Sequence, residues 1–244
     1  MSIGWNDCVK YLLHFCFPRV CASCGRDLSW RAEEFLCSTC IQELAHPGPL
    51  ICRRCGVNLP GGGAHCYACR GSKAKQYKCK VIRSAWIFNT PSRALVHSLK
   101  YAGADYMAAS MGKQMARNFC RYPELVAAEV VVPVPLYPAK LRARGYNQSE
   151  RLAHYFARHT GLKLVTNALK RTRNTISQTE LNRKGRLTNM VGAFTCVQAA
   201  EIKGKVILLI DDVATTGATL EGCAVALKAA GAKQVLAYTY AREN

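Results

Sequence analysis

Four Cys-x-x-Cys pairs between residues 21 and 69 constrain this chain more than any other feature of its sequence. Two residues between cysteines form a tight knuckle, and two knuckles complete a tetrahedral zinc site with no open position for catalysis. One pair alone is typical of a redox motif, whereas four pairs predict two structural zinc ions. Consecutive pairing would give two stacked ribbons, and interleaved pairing would give a cross-brace. The predicted ligands are Cys21, Cys24, Cys37, Cys40, Cys52, Cys55, Cys66 and Cys69.

Composition and the N-terminal segment favour a reducing compartment. No positively charged segment with a small-residue cleavage site precedes Cys21, and no apolar run approaches the roughly 20 residues that span a bilayer. We therefore expect a cytoplasmic protein whose clustered cysteines bind metal. The net charge of +19 falls to about +15 when eight thiolates bind two zinc ions. Such a surface favours a phosphorylated metabolite or a nucleic acid as partner, although solvated Lys and Arg side chains have the same composition.

Four segments follow one another along the chain. We expect an N-terminal helix over residues 1–19, a cysteine-rich module over residues 20–71 and a basic linker over residues 72–80. From 81 to 244, apolar strands alternate with amphipathic helices, which is typical of an α/β domain with a parallel sheet. The predicted strands are 81–88, 129–134, 205–210 and 234–240, and the predicted helices are 92–101, 106–121, 147–159 and 219–230.

The predicted strand 205–210 leads directly into two acidic residues and a run of small, hydroxylic ones. Open parallel sheets bind ligands at the carboxyl ends of their strands. Backbone N–H groups of such a turn suit a phosphate, and the carboxylates of Asp211 and Asp212 suit the hydroxyls of a ribose. The predicted phosphate-binding residues are Ala214, Thr215, Thr216, Gly217, Ala218 and Thr219.

Two other interpretations explain part of this run. An apolar strand that ends in Asp is also typical of the magnesium-binding strand of P-loop NTPases, but the sequence has no G-x-x-x-x-G-K-[ST] motif to hold the phosphates. An Asp-capped helix start explains one of the two acidic residues and leaves the rest of the run unexplained.

Residues 206–219 resemble the signature of type I phosphoribosyltransferases, which bind phosphoribosyl pyrophosphate with magnesium. Over nearly its whole length, the chain is similar to the ComF family (ComF/GntX) of competence-associated proteins. The shared motifs are Phe17-Pro18-Arg19-Val20-Cys21-Ala22-Ser23-Cys24-Gly25, Leu99-Lys100-Tyr101, Pro133-Val134-Pro135, Arg144-Gly145-Tyr146-Asn147-Gln148 and Gln178…Arg186…Asn189…Phe194. The resemblance implies a type I phosphoribosyltransferase fold, a Rossmann-like parallel sheet with helices, preceded by a small double zinc ribbon with four cysteine ligands per ion.

The resemblance also implies roles for individual residues. Asp211 and Asp212 would orient the ribose, and Mg²⁺ would accompany the phosphoribosyl pyrophosphate. The pyrophosphate would lie on the loop 133–136, which contains Pro135, and residues 171–190 would form a hood over the substrate. Side chains implied to meet the pyrophosphate are Lys100, Lys140, Arg142 and Arg144, with Arg171, Arg173, Gln178, Arg183 and Arg186 in the hood. On composition alone, a solvated basic helix and a disordered basic loop explain these segments equally well.

Two functions from different classes fit these features. The first is a transferase that uses phosphoribosyl pyrophosphate and an acceptor that the sequence does not identify. The second is a non-catalytic factor that handles single-stranded DNA with other DNA-uptake proteins and uses the site as a nucleotide sensor or scaffold. Tyrosines among cations would suit a DNA strand, but they are also typical of core packing. They are Tyr77, Tyr101, Tyr137 and Tyr146.

Overall fold

The fold is taken from a computed structural model that describes residues 14–71, 76–101, 106–173 and 192–244. Its strands are β1 (Cys79–Ile87), β2 (Val130–Pro133), β3 (Lys163–Leu164), β4 (Leu169–Arg171), β5 (Phe194–Cys196), β6 (Val206–Ala214) and β7 (Gln234–Arg242). Five of them form a parallel sheet in the order β1-β7-β6-β2-β3. The remaining two, β4 and β5, pair with each other in antiparallel orientation. The predicted α/β fold with a parallel sheet is confirmed.

Seven α-helices accompany the strands in the described part of the chain. They are α1 (Ser38–Gln42), α2 (Thr90–Tyr101), α3 (Met107–Phe119), α4 (Pro138–Arg144), α5 (Gln148–Thr160), α6 (Ala199–Ile202) and α7 (Ala218–Ala229). Helix α5 shows both expected end signals: the Asn147 side chain accepts a hydrogen bond from the Ser149 N–H, and Gly161 ends the helix in the left-handed conformation. None of these helices is both long enough and apolar enough to cross a membrane.

The two faces of the sheet bury separate hydrophobic clusters. Side chains alternate along β6, so that Leu208 and Ile210 lie in one cluster and Ile207 and Leu209 in the other. The first cluster also contains residues of α2, α3 and α5 together with cysteines of the first two pairs. The second contains residues of α7 and cysteines of the last two pairs. Each half of the cysteine-rich module therefore packs into a different part of the core.

Strand β6 differs from the prediction in a way that matters for the site. It continues past Ile210 to Ala214, because β7 pairs with it as far as Arg242. Strand β2 stops earlier, with Pro133 opposite Ile210. The acidic pair therefore lies within β6 but beyond the end of its other neighbour, which leaves that side open.

Several short elements were not predicted, namely α1, α6 and β3 to β5, because they are too short for hydrophobic periodicity to register. Strand β1 starts at Cys79 rather than at 81. Residues 1–13 of the predicted N-terminal helix and 72–75 of the predicted linker lie outside the described residues. The domain boundaries at 19, 71 and 80 remain predictions.

Candidate functional site

The acidic pair lines a cavity at the carboxyl edge of the sheet. Asp211 and Asp212 are 8% and 4% exposed. The cavity measures about 370 Å³. Its wall comes from β6, the loop after β2, the start of α5 and the start of α7, so elements distant in sequence converge on it. The lining residues are Phe88, Lys100, Val134, Pro135, Leu136, Gln148, Ser149, Arg171, Asp211, Asp212, Val213, Thr215, Thr219 and Glu243.

The two carboxylates have different partners. Asp211 accepts hydrogen bonds from the Ser149 hydroxyl at 2.7 Å and from the Asp212 N–H at 2.9 Å. Asp212 forms an ion pair with the Lys100 ammonium group at 2.6 Å and accepts a hydrogen bond from the Val213 N–H. Burial, reinforced by the charge of Asp212, raises the pKa of Asp211 to about 7. A carboxyl that holds its proton near neutral pH is suited to release it when a cation or a hydroxylic ligand arrives.

The loop between β6 and α7 turns at Gly217. Gly217 adopts φ 77°, a left-handed conformation that strains a residue with a side chain, so glycine is favoured there. The Thr216 hydroxyl accepts a hydrogen bond from the Ala218 N–H. Among the predicted phosphate-binding residues, Thr215 and Thr219 line the cavity, whereas Ala214 and Ala218 are buried in the core. The alanines thus offer backbone groups only, next to the positive end of α7.

Two cations, Lys100 and Arg171, also line the cavity, as does Pro135. Burial lowers the pKa of Lys140, and the charges of Arg171, Arg144 and Lys100 lower it further. Such mutual repulsion among cations is relieved by a bound polyanion. The loop before them is held in place by Asn147, whose side-chain amide donates a hydrogen bond to the Val134 carbonyl.

Not every predicted residue reaches the cavity. Arg142 is exposed on α4 and does not line it. Arg144 stacks its guanidinium 5.5 Å from the Tyr101 ring and donates a hydrogen bond to Gln148, which does line the cavity. Most of the predicted hood, including Gln178, Arg183 and Arg186, lies outside the described residues.

Sequence reasoning missed Ser149, the hydrogen-bond donor to Asp211. The signal was present, because Ser149 directly follows the Arg-Gly-Tyr-Asn-Gln motif and begins the first turn of α5. Phe88 and Glu243 were missed as well, and both line the cavity from the ends of β1 and β7. The terminal residues of strands give no pattern by which a sequence would identify them as site residues.

The eight cysteines form two clusters by consecutive pairing. One contains Cys21, Cys24, Cys37 and Cys40, and the other contains Cys52, Cys55, Cys66 and Cys69. Within each cluster the sulfur atoms lie within 4.8 Å of one another, and the closest pairs recorded, Cys24 with Cys37 and Cys55 with Cys66, are 3.7 Å apart. Tetrahedral zinc with bonds of about 2.3 Å requires sulfur atoms about 3.8 Å apart. Both clusters therefore fit a structural zinc ion.

The two clusters share their local backbone geometry. In the first, the Gly25 N–H donates to the Cys21 carbonyl, and in the second the Gly56 N–H donates to the Cys52 carbonyl, both at 2.9 Å. Both glycines have positive φ angles, 73° and 74°. An isolated bridge closes each knuckle. We refer to residues 20–44 as the first ribbon and to residues 51–70 as the second ribbon.

Comparisons with known proteins find similarity along most of the chain. The family profile described as a double zinc ribbon domain matches residues 12–70, and the one described as a phosphoribosyl transferase domain matches residues 144–244. Competence protein F of Haemophilus influenzae is 28% identical over 216 residues, which cover 86% of this chain and 92% of that protein. DNA utilization protein YhgH of Salmonella typhimurium is 27% identical over 91% of this chain and 90% of its own length.

A third relative also matches most of the chain. Competence protein ComFC of Bacillus subtilis is 27% identical over 237 residues, 91% of this chain and 95% of that protein. Among solved structures, the allosteric regulatory enzyme of purine biosynthesis aligns with 58% of this chain and 29% of its own, at 20% identity and a TM-score of 0.39. The three relatives span both the cysteine-rich module and the sheet domain.

Proposed function

This chain belongs to the ComF family, in which a double zinc ribbon precedes a phosphoribosyltransferase-type domain, and we propose that it binds phosphoribosyl pyrophosphate with Mg²⁺ beside Asp211 and Asp212. One observation carries the proposal: a carboxylate pair, a hydroxylic loop at a helix start and the cations Lys100 and Arg171 all line one cavity of about 370 Å³. A ribose that carries a phosphate at one end and a diphosphate at the other matches these three groups.

Each group has a role that its chemistry suits. The carboxylates of Asp211 and Asp212 accept hydrogen bonds from the ribose hydroxyls, and Thr215, Thr219 and the N–H groups of the loop bind the 5′-phosphate. Lys100 exchanges its ion pair with Asp212 for one with the diphosphate. Bound Mg²⁺ supplies divalent charge against the diphosphate, and carboxylate oxygens are its preferred protein ligands.

Transfer of phosphoribose to an acceptor would use the same cavity. The bond between ribose C1 and pyrophosphate breaks, pyrophosphate leaves with the bonding electrons, and a lone pair of the acceptor forms the new bond to C1. The cations near Pro135 would stabilise the departing charge. The proposal is centred on binding, because no group among the described cavity residues identifies an acceptor.

A second candidate is the handling of single-stranded DNA. The curated relatives carry names that refer to competence and DNA utilization. In this chain, Tyr101 and Tyr106 are 69% and 59% exposed, and the Arg144 guanidinium lies 5.5 Å from the Tyr101 ring. An exposed aromatic ring beside a cation suits an unstacked base. Tyr77 and Tyr146 support this less, because both are partly buried and donate hydrogen bonds to backbone carbonyls.

The test is a calorimetric titration of phosphoribosyl pyrophosphate with Mg²⁺ into zinc-loaded protein. We expect saturable binding by the native chain and its loss in the Asp211→Asn/Asp212→Asn double variant. The matched control is Glu201→Gln in α6, the helix that precedes β6. It removes an exposed carboxylate that pairs with Lys163 of β3. This control should bind as the native chain does.

Two results would overturn the proposal: no binding by folded native protein, or equal binding by the double aspartate variant. A parallel titration with an oligothymidylate of about 20 nucleotides addresses the second candidate. DNA binding that weakens steeply with salt and is unchanged by the double variant would favour the DNA-handling function over a phosphoribosyl site.

A further inference from the structure

Arg242 is a buried cation behind residues 215–217, the loop between β6 and α7 that we call the phosphate loop. It is the last residue of β7, lies opposite Ala214 in β6 and is 3% exposed. Its Nη2 group donates a hydrogen bond of 3.3 Å to the Thr215 carbonyl, so it holds the backbone of the loop rather than the ligand. Its Nε and Nη1 groups are buried and have no hydrogen-bond partner among the residues that the structure describes.

The cysteines of the second ribbon favour the charged form of Arg242. Burial lowers the pKa of the Arg242 guanidinium, and the thiolates of Cys55, Cys66, Cys52 and Cys69 oppose that shift. A zinc ion with four thiolates carries a net charge of about −2, so it attracts a buried guanidinium. Ala214 and Ala218 flank the phosphate loop, and they belong to the same hydrophobic cluster as Cys52, Cys55 and Cys69.

A second contact joins the same ribbon to the helix that begins at the loop. The Arg54 guanidinium lies 2.9 Å from the Glu221 carboxylate, in the first turn of α7, and 3.2 Å from the centre of the Tyr77 ring. Glu221 also accepts hydrogen bonds from the N–H groups of Lys78 and Cys79. Arg54 lies between the ligands Cys52 and Cys55 and donates a hydrogen bond to the Cys69 sulfur, so it joins the second zinc site to the start of α7. Arg242 of β7 holds the loop backbone before Gly217.

The first ribbon has no comparable contact with the phosphate loop among the described residues. Its side-chain contacts with the sheet domain are made to α3, where Glu34 accepts hydrogen bonds from Ser110 and Gln114 and Glu33 pairs with Lys113, and to Asn89 and Tyr106. Helix α3 contributes no residue to the lining of the cavity.

We propose that Arg242 is a positioning residue for the phosphate loop and that the second ribbon supports the same loop through Arg54 and Glu221, so that affinity for a sugar phosphate depends on the second zinc ion and not on the first. The part that concerns affinity rests on the function proposed above. The part that concerns the loop does not, because the hydrogen bond from Arg242 to the Thr215 carbonyl involves protein groups alone.

The first experiment compares Arg242→Ala with Arg83→Ala. Arg83 is a matched control, because it is 6% exposed and donates hydrogen bonds to the Cys52 and Arg53 carbonyls of the same ribbon without contacting the loop. Ribose 5-phosphate probes the phosphate loop, and inorganic pyrophosphate probes the cations near Pro135. We expect Arg242→Ala to weaken ribose 5-phosphate binding about tenfold and to leave pyrophosphate affinity within about twofold, whereas Arg83→Ala changes neither.

The second experiment measures hydrogen exchange in the segment 212–219 without ligand. Exchange should accelerate in Arg242→Ala and in Cys66→Ser, which removes a ligand of the second zinc ion, and should stay at the native rate in Cys24→Ser, its counterpart in the first ribbon. Arg242→Lys, which retains the charge but offers one point of contact, should give an intermediate rate. It also serves as the test variant if Arg242→Ala does not fold.

The two measurements separate the two proposals. If the native chain binds no ribose 5-phosphate, the proposed function fails, and the exchange rates still decide the role of Arg242. Equal loss of both ligands in Arg242→Ala, an equal effect of Arg83→Ala, or equal acceleration by Cys24→Ser and Cys66→Ser would each overturn the inference.

Discussion

The first and second ribbons have the same ligand spacing within each Cys-x-x-Cys pair and the same knuckle hydrogen bonds, yet they join the sheet domain in different ways. The first forms its ion pairs with α3 near the surface: in the pair of Lys113 with Glu33, the side chains are 33% and 76% exposed. The second makes its corresponding contact inside the protein, where the side chains of Arg54 and Glu221 are 10% and 13% exposed.

This difference shows that a repeated motif does not have a fixed energetic role. Exposed ion pairs contribute about 0–1 kcal/mol, whereas removing one partner of a buried pair leaves an uncompensated charge that costs about 3–5 kcal/mol. The same knuckle packs into the core in both positions. Only the second also forms a buried ion pair with α7, the helix that follows the acidic strand.

Loss of a zinc ligand should give the largest difference between the ribbons. Cys21 and Cys52 are the first ligands of their clusters and are equally buried, at 1% and 0% exposure. We expect Cys21→Ser and Cys52→Ser each to lose one of two zinc ions. Cys52→Ser should lower the melting temperature by about 10 °C or more, because structural zinc contributes directly to folding free energy and Arg54, in the same knuckle, forms a buried ion pair with Glu221 of α7.

Zinc content by absorption spectroscopy and thermal unfolding by circular dichroism are the measurements. Cys21→Ser serves as the control, with an expected decrease of less than half that of Cys52→Ser. Equal decreases would mean that the buried contact with α7 adds nothing to the contribution of the second ribbon, and the comparison would then be wrong.

Local chemistry explains what the sequence could predict of this arrangement. The ribbon ligands follow from spacing alone, and the phosphate loop follows from an apolar strand, two acidic residues and a run that includes Gly217 before a helix. Both features are encoded within a few consecutive residues. The order of strands in the sheet and the choice between consecutive and interleaved cysteine pairing depend on distant parts of the chain and remained open.

Contacts between distant residues could not be predicted for the same reason. Ser149 and Asp211 are 62 positions apart, and Arg54 and Glu221 are 167 positions apart. No periodicity links such pairs, since each lies on a different element and they meet only after the sheet forms. Arg142 shows the converse: a basic run indicates that cations are near the site, but it does not indicate which of them face the cavity.

The buried ion pair should give the second largest effect. Arg54→Ala leaves the Glu221 carboxylate without its guanidinium partner, and we expect the free energy of unfolding to fall by about 3 kcal/mol in urea titrations. The double variant Arg54→Ala/Glu221→Gln should recover part of that loss, because the remaining side chain is then neutral. A loss below about 1 kcal/mol, or a double variant no more stable than Arg54→Ala, would show that this contact is no stronger than a surface pair.

The smallest effect is expected at the surface of the first ribbon. Lys113→Ala removes the partner of Glu33, and both side chains retain access to water, so the free energy of unfolding should change by about 0.5 kcal/mol or less. In about 1 M salt, where the screening length is about 3 Å, this difference should vanish, while the Arg54→Ala loss persists because its charges are shielded from solvent ions. Urea titrations at low and high salt measure both. Lys113→Ala could instead lower the free energy of unfolding as much as Arg54→Ala does, or by an amount equally resistant to salt. The first ribbon would then be joined to the sheet domain as firmly as the second. In that case burial would not explain why only the second is proposed to support the phosphate loop.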